Sequence, residues 1–370
     1  MKNNILLGVT GSVACSKSEK FVTKYKSSYN FKIIATHDSL NFLSTKFKKE
    51  NNIFSNWGDL QGSPHIDMAR WADNFLIYPA TANAIAKINS GIADDLLTST
   101  ALMYSKPIYI CPAMHEEMFL NTKTQENLLE LSKSHFILGP RYGNLDIGDV
   151  GLGRLIEPEE IYKVLNKNKE TVIVTAGPTI ESIDDVKSIS NKSSGKQGTA
   201  IAIELIARGY EVIFLHSNSI NPIHGAKNFS FESSSELFEL LNYYAAKAKY
   251  LFMVAAVSDF IPEKFPGKID RKKGNLNLKL NANRDLVKEI KKSFPKLICI
   301  AFSAQINDEL NFKKIKDKNV DYLVVNNILK NPFGSNSNKV SLIDKENLIL
   351  ETNVVSKHYI AYQIIENLNL

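Results

Sequence analysis

Two histidines and a handful of glycine- and hydroxyl-rich turns are the residues of this chain best equipped for chemistry. His115 stands in PIYICPAMHEEMFL (107–120), where the apolar run Ile108 to Cys111 stops at Pro112 and a Met-His pair precedes the next helix signal. An imidazole there can donate to a carboxylate, neutral or protonated, or simply be a satisfied residue at a strand end. His65 stands in SPHIDMARWAD (63–73); a lone histidine is more often structural than catalytic. GVTGSVA (8–14) follows an apolar run and opens a helix: Gly8 and Gly11 permit a tight turn, and the Thr10 and Ser12 hydroxyls with the helix amides can hold a phosphate. PATAN (79–83) lets the backbone approach a flat ring through small residues. The densest stretch is 175–198, with TAGPT, ESIDDVKSISN and then SSGKQG opening a helix at Lys196 and Gly198. It lacks the spacing and the Ser/Thr of a Walker A loop, but Ser193, Ser194 and Gly195 suit a phosphate at a helix start.

The elements that must position these turns alternate. ILLGV (5–9), FKIIAT (31–36), FLIYP (75–79), IYIC (108–111) and FILG (136–139) read as strands, with helical patterns near 17–27, 39–49, 83–90, 95–104 and 117–132. The pattern restarts with TVIVTAG (171–177), a helix over 196–208, EVIFLH (211–216), YLFMVAAV (250–257), LICIAFSA (297–304) and DYLVV (321–325). Continuous apolar strands separated by helices predict parallel sheets covered on both faces. The expected fold is α/β, with two doubly wound Rossmann-like domains, 1–168 and 169–370, joined near 166–170. GNLNLKL (274–280) and VSLIDKENLIL (340–350) are expected as antiparallel additions to the second sheet. Ligands of such sheets bind beyond the carboxyl ends of the strands, where every motif above falls.

A chain of 370 residues is long enough for two cores. It is 44% hydrophobic and 23% charged with a net charge of +6, and no basic stripe interleaves with aromatics, so small anionic ligands fit better than nucleic acid. Three cysteines without a CxxC pair suit a reducing cytoplasm. The start MKNNILLGVTGSVAC mimics a lipoprotein signal, but its apolar part is short and interrupted, and a buried first strand is the better account. No run of 18 apolar residues occurs, so no membrane-spanning helix is expected.

GVTGSVA, SPHIDMARWAD, PATANAIAKINSGIADDLL (79–97) and PAMHEEM (112–118), taken in order, resemble the flavin-dependent cysteine decarboxylase family over about residues 4–160. The resemblance implies a flavodoxin-like fold that binds FMN through Gly11, Ser12, Thr36, Pro79, Ala80, Thr81, Asn83 and Met114, with His65 catalytic. In that chemistry the thiol is oxidised to a thioaldehyde, so that departing carbon dioxide leaves a stabilised enethiolate. Three positions depart from the family pattern, one of them Phe119, where the form PxMNxxMW has tryptophan. His115 stands where an asparagine binds the substrate carboxylate, and Ile147, in LDIGDVGLGRL (145–155), replaces the flap cysteine that helps reprotonate and reduce the enethiolate. Either His115 or Asp146 takes over as donor, or decarboxylation is impaired.

The 175–198 block resembles the phosphopantothenate–cysteine ligase domain, and so do AAVSDF (255–260), GKI (267–269), FSAQ (302–305), VNN (325–327) and FGSNSNKVSLI (333–343). The resemblance implies that CTP activates the carboxylate of 4′-phosphopantothenate as an acyl-cytidylate, with Mg²⁺, and that cysteine's amine displaces CMP. Asn191 would hold the acyl intermediate and Lys268 would be the mobile catalytic lysine, with Asp259, Asp285, Phe302, Lys314 and Lys318 binding CTP. Together the halves resemble the bifunctional decarboxylase/ligase family of coenzyme A biosynthesis, which implies homo-oligomers: trimeric flavin domains and dimeric ligase domains building a dodecamer. Two rival readings remain: an active ligase whose degenerate flavin domain serves as an assembly scaffold, and a first half that is a flavin carrier or prenyltransferase, a related fold lacking the HI…WAD and PAM motifs, whose presence here argues against it.

Overall fold

Strand Asn3–Val9 carries Ile5, Leu6, Leu7 and Val9 with no exposed surface; both its faces are covered, which is why its sequence does not alternate. It is the centre of a six-stranded parallel sheet ordered Ile53–Phe54, Tyr29–Ala35, Asn3–Val9, Asn74–Ala80, Ile108–Pro112, Phe136–Ile137. Leaving aside Ile53–Phe54, the order is the 2-1-3-4-5 of flavodoxin-like folds. The computed structural model describes residues 2–370 except 60, 167–169, 271–273, 308, 311 and 330–333, and for 59 and 147 the backbone alone. Most of the expected join at 166–170, and the Phe333 of the FGSNSNKVSLI motif, therefore lie outside the described residues. The chain divides into two compact units, residues 1–167 with 206–209 and residues 168–205 with 210–370.

In the first unit the helices Cys15–Tyr25, Ala82–Ser90 and Leu96–Met103 fall within a few residues of expectation. The helix expected over 39–49 is a 3-10 turn, His37–Asn41, and then Thr45–Glu50, because the Ser44 hydroxyl accepts from Phe47 N at 3.1 Å and starts a new helix. The 117–132 pattern likewise breaks at Asn121, whose side chain caps Thr122–Leu131. Residues 141–154, Gly/Asp-rich, form an antiparallel hairpin of Arg141–Asn144 against Val150–Arg154.

The second unit's sheet runs Ala226–Phe231, Glu211–Ser217, Thr171–Ala176, Tyr250–Met253, Ile298–Gln305, Tyr322–Asn327, then Val340–Ile343 and Leu348–Glu351. The first six strands are parallel in the 3-2-1-4-5-6 order of doubly wound sheets, and the last two are antiparallel. The addition expected from 340–350 is therefore present. That from 274–280 is not: only Leu280–Ala282 is a strand, and it pairs with Phe260–Pro262 in a separate ladder. Its alternating leucines have no layer to bury them, and Leu276 and Leu280 remain 44% and 45% exposed. The strand at 250–253 ends earlier than its apolar run because the chain turns out of the sheet at Val254.

Thr175 makes that turn possible. Its buried hydroxyl accepts from Val254 N and Ala255 N, both at 2.9 Å, and so sets the path of the AAVSDF loop. Thr175→Val leaves Ala255 N without this acceptor and Val254 N with Phe252 O alone, at 3.2 Å; an unsatisfied buried amide costs about 1–3 kcal/mol. Urea unfolding of the variant is expected to show a loss of about 1–3 kcal/mol, and an unchanged midpoint would contradict this account.

Candidate active sites

At the carboxyl edge of the first sheet, buried Thr10 bolts two loops together: its hydroxyl donates to Pro79 O at 2.8 Å and accepts from Thr81 N at 2.9 Å. Gly11 then packs so closely that a Cβ would lie 2.9 Å from Asp38 Cβ. Beside this turn opens a cavity of about 510 Å³ whose wall includes Ser12, Lys17, Met114, His115, Asp146 and Arg154, a size suited to a small-molecule ligand. Thr36, Pro79, Ala80, Thr81 and Asn83 sit at neighbouring strand and helix ends and are not in that wall.

The hairpin 141–154 forms the opposite lip, fastened to the PAMHEE segment. Met114 N donates to Gly153 O at 3.1 Å, and Leu152 N donates to a Glu116 carboxylate oxygen at 3.1 Å. Gly153 has no room for a side chain, since a Cβ there would lie 2.0 Å from Met114 O. His115 completes the fastening. Its Nε2 faces Asp149 Oδ2 of the hairpin at 2.9 Å, and its Nδ1 contacts the Glu117 carboxylate. Those two carboxylates push the imidazole's pKa above its ordinary value, which favours the imidazolium. His65 is held apart from this cavity, at the start of helix Pro64–Trp71, with its ring edge-to-face on Trp57 at 5.1 Å. Its Nδ1 is buried without a hydrogen-bond partner.

The described side chains bring no thiolate to the site. Burial pushes the Cys15 thiol up to about 11 and the Cys111 thiol well above its usual range. The side chain of Ile147 lies outside the described residues. Sequence reasoning missed Lys17 and Arg154 as cavity residues. Lys17 is the third residue of the helix that GVTGSVA opens, and its Nζ donates to Leu155 O at 2.5 Å and Glu157 Oε1 at 2.9 Å. Arg154 pairs with the same Glu157.

In the second unit, Ser193–Gly198, Val254–Ala256, Phe302 and Asn338 enclose a smaller cavity of about 140 Å³. Asn191 is exposed at its edge and donates to Ala256 O at 3.1 Å. Lys196 reaches Gly334 O at 2.8 Å and Asn336 Oδ1 at 2.7 Å. Asp285 caps helix Leu286–Ser293 with one oxygen and receives Lys318 Nζ on the other at 2.6 Å. Lys314 donates to Ser303 Oγ at 2.8 Å; burial and then Lys318 lower its pKa, while Asp259 and Asp285 act in the opposite direction. The structure thus gathers Asp259, Asp285, Lys314 and Lys318 into one electrostatic network. Lys268 stands outside it on an exposed loop. Lys357, which sequence reasoning missed, begins the last helix and lines the cavity. Burial and then Lys196 push its ammonium down to about 8. Nothing local marks it: it reaches the SSGKQG turn only through tertiary folding, with Gln197 Nε2 donating to Lys357 O at 3.2 Å. Among the described residues no group of three or more His, Cys, Asp or Glu is arranged to hold a metal ion, and no helix is long and apolar enough to cross a membrane.

Fold and sites define a two-domain flavoprotein: residues 1–169 match the Flavoprotein family model, and residues 167–369 match that of the DNA/pantothenate metabolism flavoprotein C-terminal domain. The chain is 32% identical to the coenzyme A biosynthesis bifunctional protein CoaBC of Bacillus subtilis (strain 168), over 99% of this chain and 96% of that one. It is 34% identical to CoaBC of Borreliella burgdorferi, over 98% of both. It is also 36% identical to a cysteine/cysteine sulfinic acid decarboxylase of an unknown prokaryotic organism, over 84% of this chain and 92% of that one. The chain belongs to the family of bifunctional coenzyme A biosynthesis proteins, which join a ligase and a decarboxylase.

Two pH responses follow. The His115–Asp149 contact is fully present below the ordinary imidazole value of 6.5 and is lost as pH rises through the raised native value. Amide exchange at 148–150, corrected for its intrinsic pH dependence, is expected to accelerate across that window in the native chain and to stay flat in His115→Asn. Lys357 has the opposite sign. Its burial penalty is full below about 8 and is relieved as pH climbs toward 10.5. Lys357→Met should therefore raise the thermal midpoint at pH 7, with the gain shrinking by pH 10; a constant difference would contradict it.

Proposed function

We propose that the second unit condenses 4′-phosphopantothenate with cysteine using CTP, and that the first decarboxylates the product to 4′-phosphopantetheine with FMN. What supports this above all is that one chain, matching bifunctional relatives end to end, has at the strand ends of each unit a cavity framed by the motifs of one activity.

In the ligase half the substrate carboxylate attacks the α-phosphate of CTP and pyrophosphate leaves; cysteine's amine then attacks the acyl carbon and CMP leaves. Lys268, Lys314 and Lys318 offset the charge that the phosphates carry in that transfer. Phe302 lines the base pocket, Asp259 contacts the nucleotide, Asp285 acts on it by orienting Lys318, and the Asn191 amide holds the acyl group. The described side chains offer no carboxylate cluster for Mg²⁺, so its ligands in this reading are the phosphates and water.

In the decarboxylase half, Gly11, Ser12 and the helix amides suit the FMN phosphate, with Met114 and the small residues of PATAN toward the ring. When bound, FMN would take two electrons from the thiol-bearing carbon, which lets the carbon beside the carboxylate accept electrons, and would return the same two electrons after carbon dioxide has left so that the product ends as a thiol. His115 takes the substrate carboxylate in exchange for Asp149 or Glu117. As carbon dioxide leaves, the bonding pair moves into the enethiolate, and the His115 imidazolium returns a proton to carbon. His65 shuttles the proton from the thiol side. Its orphan Nδ1 finds a partner if flavin domains trimerise and His65 meets a neighbouring chain's flavin. Dimeric ligase domains, a dodecamer and a cytoplasmic location belong to the same reading.

Mass spectrometry of the protein incubated with 4′-phosphopantothenate, cysteine, CTP and Mg²⁺ tests it. 4′-Phosphopantetheine is the expected product. Phosphopantothenoylcysteine alone would mean a working ligase beside a flavin scaffold, and neither product would overturn the assignment.

A further inference from the structure

The carboxylate of Asp184 is fully buried yet lies in a surface turn, between the paired strands Ile180–Ser182 and Ser188–Ser190. It accepts from Val186 N at 2.7 Å, Lys187 N at 2.6 Å and Lys187 Nζ at 2.9 Å, which closes the turn. Its fourth donor comes from 85 residues away: Ile269 N, at 2.9 Å. Two backbone bonds join the same segments, Phe265 N to Ile183 O at 2.8 Å and Asp185 N to Gly267 O at 3.2 Å. Phe265, Gly267 and Ile269 are therefore all tied to the hairpin, while the exposed Lys268 side chain between them is not. The amide and ammonium donors hold the Asp184 carboxyl well below its ordinary range, as a charge-assisted cluster should.

We propose that Asp184 is the positioning residue of Lys268, docking the 265–269 loop on the 180–190 hairpin so that the lysine meets the nucleotide phosphates from one fixed base. The inference rests on the catalytic reading of Lys268 given above and names what makes that lysine effective. A long side chain on an untethered loop samples many positions, whereas a base pinned at residues on both sides confines it to a short arc. Removing the carboxylate's charge leaves the two backbone bonds but weakens its hold on Ile269 N and the turn amides.

Asp184→Asn, Lys268→Met and the double variant of the full chain test this, with pyrophosphate release read against CTP and trypsin cleavage after Lys268 mapped by mass spectrometry. Asp184→Asn is expected to lower kcat at least about tenfold with KM for CTP within about twofold, and to speed cleavage after Lys268. In the Lys268→Met background the same change should cost little more, since residues acting as a unit are not additive. An equal loss in both backgrounds, or faster cleavage without loss of kcat, overturns the positioning role. A Lys268→Met enzyme with normal kcat overturns the lysine assignment and the inference with it. Should Asp184→Asn fail to fold, Ile269→Pro deletes the single cross-loop donor to Asp184 and is expected to give the same kcat-selective loss; full kcat in that variant would overturn the inference.

Discussion

Where the strand order of a doubly wound sheet reverses, the first and fourth strands part, and the backbone groups at their ends lose ladder partners. The protein meets this constraint in the same way twice. Thr10 bridges the end of its first strand to Pro79 and Thr81, and Thr175 bridges its own to Val254 and Ala255. Each hydroxyl is buried and does what the ladder no longer can, satisfying backbone groups and setting the angle at which a loop leaves the sheet. PATAN and AAVSDF take their paths from these two oxygens. The first cavity opens beside the turn that Thr10 anchors, and the second is lined by the start of AAVSDF, so both depend on that crossing.

Much of this was legible in the sequence, and the reason is physical. Fully covered parallel strands must be apolar throughout, so ILLGV, FLIYP, TVIVTAG and LICIAFSA announce themselves. Ala226–Phe231, an edge strand of mixed burial, carries no such run and was missed. GNLNLKL shows the reverse error: its alternation is real, but alternation specifies a strand only where a layer waits to cover one face. The hairpin at 141–154 was hidden because Gly151 and Gly153 serve close packing on Glu116 and Met114, which has no periodicity to read.

The candidate sites were legible as turns and opaque as networks. Gly11, Ser12, Met114, His115, Phe302 and the SSG turn are local features of strand ends and cavity walls. The pairings of His115 with Asp149, Lys318 with Asp285 and Asp184 with Ile269 span from 33 to 85 residues and exist only once the fold has formed. Lys357 belongs with these, since only tertiary folding brings its helix start to the second cavity.

The interlock of Gly153 with Met114 has a bearing on how the chain can change. With Met114 N bonded to Gly153 O, Glu116 to Leu152 N and His115 facing Asp149, the PAMHEE segment and the hairpin are one mechanical piece. A change on either side of the interlock is therefore felt on the other: a side chain at position 153 would push Met114 out of the cavity wall it forms, and loss of the His115–Asp149 contact would leave the hairpin held by Met114 and Glu116 alone.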